Sequence, residues 1–201
     1  SISGIRGTIG GKPGEGLSPI DVVTFAAAYG TWLKKKGHPS NSIVLGRDAR
    51  ISGEMVSSLV ANTLIGLGWN VLDIGLTTTP TVELAVPWTK AAGGIIITAS
   101  HNPAQWNALK LLNDRGEFIS DQDGKDLLTI AENQDFDFAD VLKLGQLTLD
   151  DSFLQQHVDH VLGLSWVNKS VIEKANFRVL VDAVNSTGGI VVPMLLKALG
   201  V

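Results

Sequence analysis

The chain has 201 residues, 44% of them hydrophobic and 18% charged, with a formal net charge of −4. This composition is typical of a globular protein with a sizeable core. The longest basic block is Lys34-Lys35-Lys36, whereas nucleic-acid binders usually carry a clear basic stripe. The absence of cysteine excludes disulfides, thiolate catalysis and cysteine-based zinc sites. No apolar run could span a bilayer and no signal peptide is visible, so we expect a cytoplasmic protein that binds neither nucleic acid nor membrane.

Strands and helices alternate along the first hundred residues. Ser18 can cap a helix, Pro19 suits its first turn, and Gly37 is a typical stop. Apolar runs bounded by turn residues predict the strands between the helices. The predicted elements are a helix over 18–36, a strand over 42–48, a helix from 52 to about 67, a strand over 69–75, a helix from 79 to about 90, and a strand over 93–99. Such alternation indicates a mainly parallel, three-layer α/β/α sandwich.

Weaker patterns follow this alternation. NALKLLN and GEFIS flank Asp114-Arg115-Gly116, which predicts a β-hairpin at the edge of the sheet. A short helix is predicted over 121–133 and a loop over 134–149. DQDGKD, at the start of that helix, resembles a calcium loop, but Asp126 stands where an EF-hand requires glycine. A capped surface helix is therefore the preferred interpretation.

An amphipathic helix is predicted over 150–164. His157 and His160 lie three residues apart on one of its faces, with three aspartates nearby, so a metal site is conceivable. The favoured interpretation is an ordinary polar helix surface.

The end of the chain repeats an earlier pattern. Asp182 and Ser186 follow an apolar run with the same spacing as Asp48 and Ser52, and both patterns lead to a helix that closes in Leu-Gly. We interpret this as the first βα unit of a second, similar domain, with a strand before Asp182. The predicted organisation is a first domain over 1–149, a connecting helical segment over 150–174 and the incomplete start of a second domain over 175–201. A single βα unit cannot bury its own faces, so we expect a longer protein.

The stretch TASHNP ends a strand that carries three consecutive isoleucines. A run without alternation is typical of a strand covered on both faces. Ligands gather beyond the carboxyl ends of strands in open α/β sheets, so the hydroxyl of Ser100 and the imidazole of His101 are placed where a ligand is expected. An ordinary polar loop is the alternative.

Two basic residues accompany this loop. Arg6 lies among glycines, so its guanidinium could approach a phosphate closely, or the segment could be a flexible arm. Lys110 shares one strand face with Leu112. It could hold a phosphate or move a proton, or be a solvated strand residue.

Taken together, SGIRG, GRDAR-x-SG and TASHNP-x-x-W-N-x-x-K resemble the α-D-phosphohexomutase family, which includes phosphoglucomutase, phosphomannomutase and phosphoglucosamine mutase. The three motifs occur in family order, and the resemblance covers nearly the whole chain. It implies the first domain of that family, the connecting helix and the opening of the second domain.

The resemblance also implies a mechanism. Ser100 would carry a phosphoryl group and donate it to a hexose phosphate, forming a hexose 1,6-bisphosphate intermediate that also serves as activator. His101 and Lys110 match proposed proton-transfer groups, and Arg6 matches the arginine that approaches the phosphoserine. Arg47 and Asp48 are expected to brace the loop rather than take part in the chemistry. The residues assigned to the substrate and phosphate loop are Thr98, Asn102, Asn107 and Arg47.

A Mg²⁺ ion is implied as well, bound through the phosphate on Ser100 and through three aspartates of a D-G-D-x-D-R loop that this sequence does not contain. We therefore expect the fragment alone to be inactive, to bind Mg²⁺ poorly and to require the remaining domains of the same polypeptide. Trp106 and Ala108 depart from the usual family pattern. Glucose or mannose phosphate is the expected substrate. A phosphoglucosamine mutase and a non-catalytic phosphosugar-binding protein are the alternatives.

Overall fold

The structure, a computed structural model, describes residues 4–201; Ser3 of the SGIRG motif lies outside them. Within these residues, six strands form one sheet in the order β1-β5-β4-β2-β3-β6. Strands β2, β3, β4 and β6 are parallel, and β5 runs antiparallel to both β4 and β1. The strands are β1 (Ile5–Thr8), β2 (Ser42–Arg47), β3 (Asn70–Leu76), β4 (Gly93–Ile97), β5 (Trp106–Leu112) and β6 (Leu147–Leu149). The predicted mainly parallel sheet is confirmed.

The helices are α1 (Pro19–Lys36), α2 (Gly53–Gly66), α3 (Thr79–Thr89), α4 (Asp121–Asn133), α5 (Phe153–Leu162), α6 (Lys169–Ala175) and α7 (Gly188–Leu199), with a short 3₁₀ helix at Val141–Lys143. Local capping explains why α1 lies where the sequence predicts it. Ser18 and Asp21 form a capping box, and Gly37 ends the helix at φ 70°. None of the helices formed by residues 4–201 is long and apolar enough to cross a membrane.

The sheet has an apolar core on each face. On one face, buried residues of α1, α2 and α4 pack against Ile95 and Ile97. On the other, residues of α3 and Phe153 of α5 pack against Ile96. Successive side chains of a strand point to opposite faces, so both faces of β4 are buried, and its sequence shows no polar alternation. The predicted three-layer α/β/α arrangement is thus confirmed.

Two predictions for the middle of the chain require correction. Residues 134–149 were expected to form a loop, but they contain the 3₁₀ helix and β6. Strand β6 is short, and both of its leucines are exposed, so no pattern of burial marks it. The turn of the expected hairpin forms, with the Asn113 N–H donating to the Glu117 carbonyl and the Ile119 N–H to the Leu111 carbonyl, but its second arm makes only one isolated bridge, from Phe118 to Leu112, and is not a strand.

The segment DQDGKD opens α4, as preferred over a calcium loop. The Ser120 hydroxyl accepts the Asp123 N–H at 3.2 Å and donates to the Asp123 carboxylate at 2.6 Å. This capping box satisfies the first turn of the helix. Asp123 also pairs with Lys36 of α1, which joins the two helices.

The predicted strand before Asp182 is absent from the described residues. Residues 177–183 have no regular structure, and their apolar side chains, such as Leu180, are exposed, although α7 forms after them. A strand is stabilised by pairing with a neighbour and by packing on one face. No other described strand lies beside this segment, so its apolar sequence alone does not make it a strand.

Candidate active site

The loop between β4 and β5 (residues 98–105, here called the Ser100 loop) extends from the carboxyl end of a central strand. Ser100 is exposed at its tip and has a φ of 55°, a left-handed conformation that is uncommon for residues other than glycine. Two turns shape the loop: the Asn102 N–H donates to the Ala99 carbonyl at 3.1 Å, and the Trp106 N–H to the Pro103 carbonyl at 3.0 Å.

Arg50 holds the backbone of this loop. Its guanidinium donates to the carbonyls of Ser100 and Asn102, at 2.8 and 2.7 Å, and to those of Pro103 and Trp106, at 2.8 and 2.9 Å. The side chain is only 11% exposed. The planar, permanently charged guanidinium suits this task because its donors are fixed in direction. One largely buried cation therefore binds carbonyls along the loop and at the start of β5.

Asp48 orients both Arg50 and the start of the loop. Its Oδ2 lies 3.3 Å from the Arg50 Nε and accepts the Thr98 hydroxyl at 2.6 Å. Since that hydroxyl donates its proton to Asp48, its oxygen is free to accept the Ser100 N–H, at 3.0 Å. The Asp48 carboxylate, just after β2, is thus linked to the backbone of Ser100 through one threonine.

Arg6 reaches the loop from the edge of the sheet. Strand β1 pairs with β5, which brings the Arg6 Nη1 within 2.9 Å of the Asn102 Oδ1. Asn107 lies deeper and is fully buried, where its amide donates to Ser52 at 2.9 Å and accepts the Ala108 N–H. Arg6 is therefore placed beside the loop tip, whereas Asn107 joins β5 to the start of α2.

His101 is exposed next to Ser100 and lines the same cleft. The Lys110 ammonium lies 5.6 Å from the centre of the Phe118 ring. It also lowers the pKa of Glu83, although burial dominates and leaves that pKa above its ordinary value. Lys110 pairs with Ile96 across the sheet and therefore points to the same face as Ile96, which lines the cleft.

Among the described residues, the hydrogen bonds of the Arg47 guanidinium do not go to the Ser100 loop. This guanidinium donates to the Asp48 carbonyl and to the Glu54 carboxylate of α2, each at 3.3 Å. The bracing that the sequence suggested for Arg47 is made by Arg50.

A cleft of about 470 Å³ (the Ser100 cleft) opens beside the loop. The first turn of α3 and the segment before α7 form its other walls. The lining residues are Asp48, Thr77, Thr78, Thr79, Pro80, Ile96, Thr98, Ser100, His101, Val184, Ser186 and Thr187. Hydroxyl groups predominate in this lining, and its single carboxylate is paired with Arg50. The cleft suits a polar ligand rich in oxygen atoms.

The two histidines of α5 are used for packing. The His157 Nδ1 lies 2.9 Å from the Thr81 hydroxyl of α3, and the His160 ring meets Trp88 edge-on. Burial, followed by the proximity of His160, lowers the pKa of His157. Among residues 4–201, no three or more histidine, aspartate or glutamate side chains are arranged to hold a metal ion.

A model of the family described as "Phosphoglucomutase/phosphomannomutase, alpha/beta/alpha domain I" matches residues 2–138. The chain belongs to the phosphoglucomutase/phosphomannomutase family. The match covers the sheet up to β5 together with α1 to α4, and it includes the Ser100 loop and both of its arginine contacts.

Relatives within the phosphoglucomutase/phosphomannomutase family bear different substrate names. The chain is 32% identical to a phosphoglucomutase/phosphomannomutase of Thermococcus kodakarensis over 96% of its own length and 42% of the relative's. It is 31% identical to a phosphoglucosamine/phosphogalactosamine mutase of Sulfurisphaera tokodaii, over 98% and 41% of the two chains. A solved phosphoglucomutase/phosphomannomutase family protein of Burkholderia thailandensis superposes with a TM-score of 0.76 at 24% identity, over 98% and 41%. The chain thus spans about two fifths of the length of these relatives.

Sequence reasoning missed the contribution of Arg50 to this phosphoglucomutase/phosphomannomutase domain. The signal was present, because GRDAR contains two arginines, three positions apart. Arg47 is the last residue of β2, and Arg50 lies in the turn that follows. It also missed Thr77 and Thr187 as residues of the cleft, since neither stands in a motif.

Proposed function

We propose that this chain is the phosphoserine-bearing part of a phosphohexomutase, an intramolecular phosphotransferase that acts on glucose or mannose phosphates. The observation that carries the proposal is the placement of Ser100, exposed at φ 55° on a loop whose carbonyls Arg50 holds. A nucleophile on a fixed, protruding backbone meets its substrate without reorganisation of the loop. Phosphoryl transfer depends on such positioning and on charge stabilisation more than on covalent chemistry by the protein.

In the proposed first half-reaction, a hydroxyl oxygen of the sugar attacks the phosphorus of phosphorylated Ser100. The P–Oγ bond breaks and its electron pair stays on Oγ. The sugar hydroxyl loses a proton and Oγ gains one, so a group that both accepts and donates a proton is needed. His101, exposed in the same cleft, is the group proposed for this. The hexose 1,6-bisphosphate then returns its other phosphoryl group to Ser100 by the reverse steps.

Charge on the transferred group needs cations beside it. Arg6 is proposed to approach the phosphoryl oxygens, because Asn102 already holds its guanidinium next to the loop tip. Lys110 is proposed to reach the substrate from the Ile96 side of the sheet, to hold phosphate or to move a proton. Thr98 and Asn102 keep the loop in shape.

The family resemblance implies a Mg²⁺ ion, which would offset charge on the phosphoserine. The donors of this chain do not fit a complete site. No acidic cluster of three or more lies among residues 4–201, and both oxygens of Asp48 already accept hydrogen bonds. The steps attributed to this chain therefore do not involve the ion.

The domain division is proposed from the same resemblance. Residues 1–149 would form the first domain, 150–174 a helical connector and 175–201 the opening of a second domain. The chain spans about two fifths of its relatives, so the activity proposed is that of a longer polypeptide.

The test is site-mapped intact mass of the full-length protein, purified without phosphatase treatment. We expect one phosphoryl group on Ser100, absent in Ser100→Ala and retained in Ser186→Ala, a serine of the same cleft. The phosphorylated protein should convert glucose 1-phosphate and mannose 1-phosphate, and Ser100→Ala should fall to background. Faster turnover of glucosamine 1-phosphate would favour a phosphoglucosamine mutase. A protein that stays unmodified with hexose 1,6-bisphosphate and Mg²⁺ would instead be a phosphosugar-binding protein.

A further inference from the structure

Thr77 carries an unsatisfied hydroxyl at the wall of the Ser100 cleft. The residue is 2% exposed, and its Oγ1 has no hydrogen-bond partner among the described residues. Leaving a buried hydroxyl unpaired is unfavourable. Thr77 is also held firmly in place. Its N–H donates to the Arg47 carbonyl at 2.9 Å, and its methyl group packs over Gly46, where a Cβ atom would come within 2.5 Å. Because the methyl group of Thr77 faces Gly46, its hydroxyl points in a different direction.

Two helices begin at this cleft without side-chain caps. The N-cap residue of α3 is Thr78, whose hydroxyl bonds Thr81 at 2.8 Å instead of capping the helix. The N-cap residue of α7 is Thr187, which is buried and makes no capping bond either. Thr78 and Thr187 both line the cleft. Pro80 has no N–H, and the N–H groups of Thr81, Gly189 and Ile190 donate to the carbonyls of Thr78, Ser186 and Thr187. Among the described first-turn groups this leaves the N–H of Thr79 and that of Gly188, which with the helix dipole are favourable for an anion.

The residues that line the cleft include no lysine or arginine, and His101 is the one basic side chain among them. An anion at this wall would therefore be held by hydroxyl and N–H donors. A phosphate monoester fits this chemistry, since its three terminal oxygens accept several hydrogen bonds at once.

We propose that Thr77 and the first turns of α3 and α7 form a second phosphate-binding wall, across the cleft from the Ser100 loop. The phosphate monoester that it binds is either the one carried by Ser100 or that of a soluble sugar phosphate. Thr77 is a binding residue in this assignment. The inference rests on the proposed function only where it concerns phosphorylated Ser100.

The test uses the full-length protein in two arms, each with Thr77→Val. This variant replaces an unpaired hydroxyl by a methyl group of similar size, so its stability should be unchanged or higher. The matched control is Thr31→Val, which removes the other buried threonine hydroxyl without a partner, in α1 and away from the cleft. Thr77→Ser, which keeps the hydroxyl, serves as rescue.

In the first arm, inorganic phosphate and glucose 6-phosphate are titrated into Ser100→Ala protein by calorimetry. Thr77→Val should weaken binding about 10-fold, as expected for a lost hydrogen bond to a charged group. In the second arm, the second pKa of phosphorylated Ser100 is followed by ³¹P NMR, and Thr77→Val should raise it. Thr31→Val and Thr77→Ser should change neither measurement.

The two arms separate the sources of the phosphate. A response in the titration alone assigns the wall to the soluble sugar phosphate, and a response in the NMR arm alone assigns it to phosphorylated Ser100. Unchanged affinity and unchanged pKa in Thr77→Val would overturn the proposal. If Ser100 never becomes phosphorylated, the proposed function fails, and the titration on Ser100→Ala still decides whether the wall exists.

Discussion

Two turns of the molecule share a sequence pattern but differ in their structural surroundings. Asp48-Ala49-Arg50-Ile51-Ser52 leads into α2, and Asp182-Ala183-Val184-Asn185-Ser186 leads into α7. In each, the aspartate Oδ1 accepts the backbone N–H two residues later, at 3.0 Å. The internal repeat seen in the sequence is thus reproduced as the same local hydrogen bond.

The surroundings of the two turns differ. The first follows β2, a central strand with neighbours on both sides. The second follows residues 177–183, which pair with no described strand. Val184 and Asn185 also have positive φ angles, of 45° and 57°, whereas no residue of the first turn does. Short-range hydrogen bonds follow from local sequence, but a strand forms only where neighbours pair with it and cover it.

The largest expected difference lies in the apolar residues before each turn. Leu45 is fully buried and Leu180 is 91% exposed. In the 201-residue chain, Leu45→Ala should lower the free energy of unfolding by about 2–5 kcal/mol, and Leu180→Ala by less than about 0.5 kcal/mol. Urea denaturation measures both. Equal losses would mean that residues 177–183 are packed in solution and that the contrast between the turns is wrong.

The next largest effect concerns the third residue of each turn. Arg50→Val gives the first turn the residue found in the second, and it removes three hydrogen bonds to the Ser100 loop and one to Trp106 at the start of β5. We expect a loss of about 2–3 kcal/mol, because a buried carboxylate and several carbonyls lose a charged partner. Limited proteolysis should now cut within residues 98–105. The reciprocal change, Val184→Arg, should leave stability and cleavage unchanged. A loop that stays protected in Arg50→Val would show that other contacts hold it.

Substitutions of the two aspartates should differ less in the stability that they remove. In Asp48→Asn the amide oxygen can still accept the backbone N–H of Arg50. The bond from the Thr98 hydroxyl and the negative charge beside the Arg50 guanidinium are lost. We expect a cost of about 1–2 kcal/mol. Asp182→Asn keeps its only hydrogen bond of this kind and should cost less than about 0.5 kcal/mol. Thermal unfolding of the two variants checks this, and a larger loss for Asp182→Asn would contradict it.

The features that could be predicted from the sequence are those that local interactions decide. Helix α1 was placed correctly because its signals, Ser18 and Gly37, act within one turn of each end. Strand β4 was found because burial on both faces leaves an uninterrupted apolar run. Strand β6 and the missing strand before Asp182 were mispredicted because pairing with distant residues decides them.

In the candidate site, too, some features follow from the sequence and others only from the tertiary structure. The motif placed Ser100 and His101 in one loop, and strand pairing brought Arg6 to it. The choice between Arg47 and Arg50 could not be made from sequence. It depends on where β2 ends and on which side of the turn each guanidinium leaves the sheet, and only the tertiary structure fixes both.

The smallest predicted effect is a gain in stability at the second turn. Val184 is a β-branched residue at φ 45° and is 84% exposed, so it bears strain without compensating burial. Val184→Asn should raise the free energy of unfolding by about 0.5–1 kcal/mol, since asparagine tolerates the left-handed conformation. Ile51→Asn is the matched control, because it introduces the same residue at an exposed position of the first turn, where no φ is positive. Chemical denaturation of the 201-residue chain should show a gain for Val184→Asn alone. A similar gain in Ile51→Asn would trace the effect to removal of an exposed apolar side chain, and no gain in either would mean that the second turn is not strained.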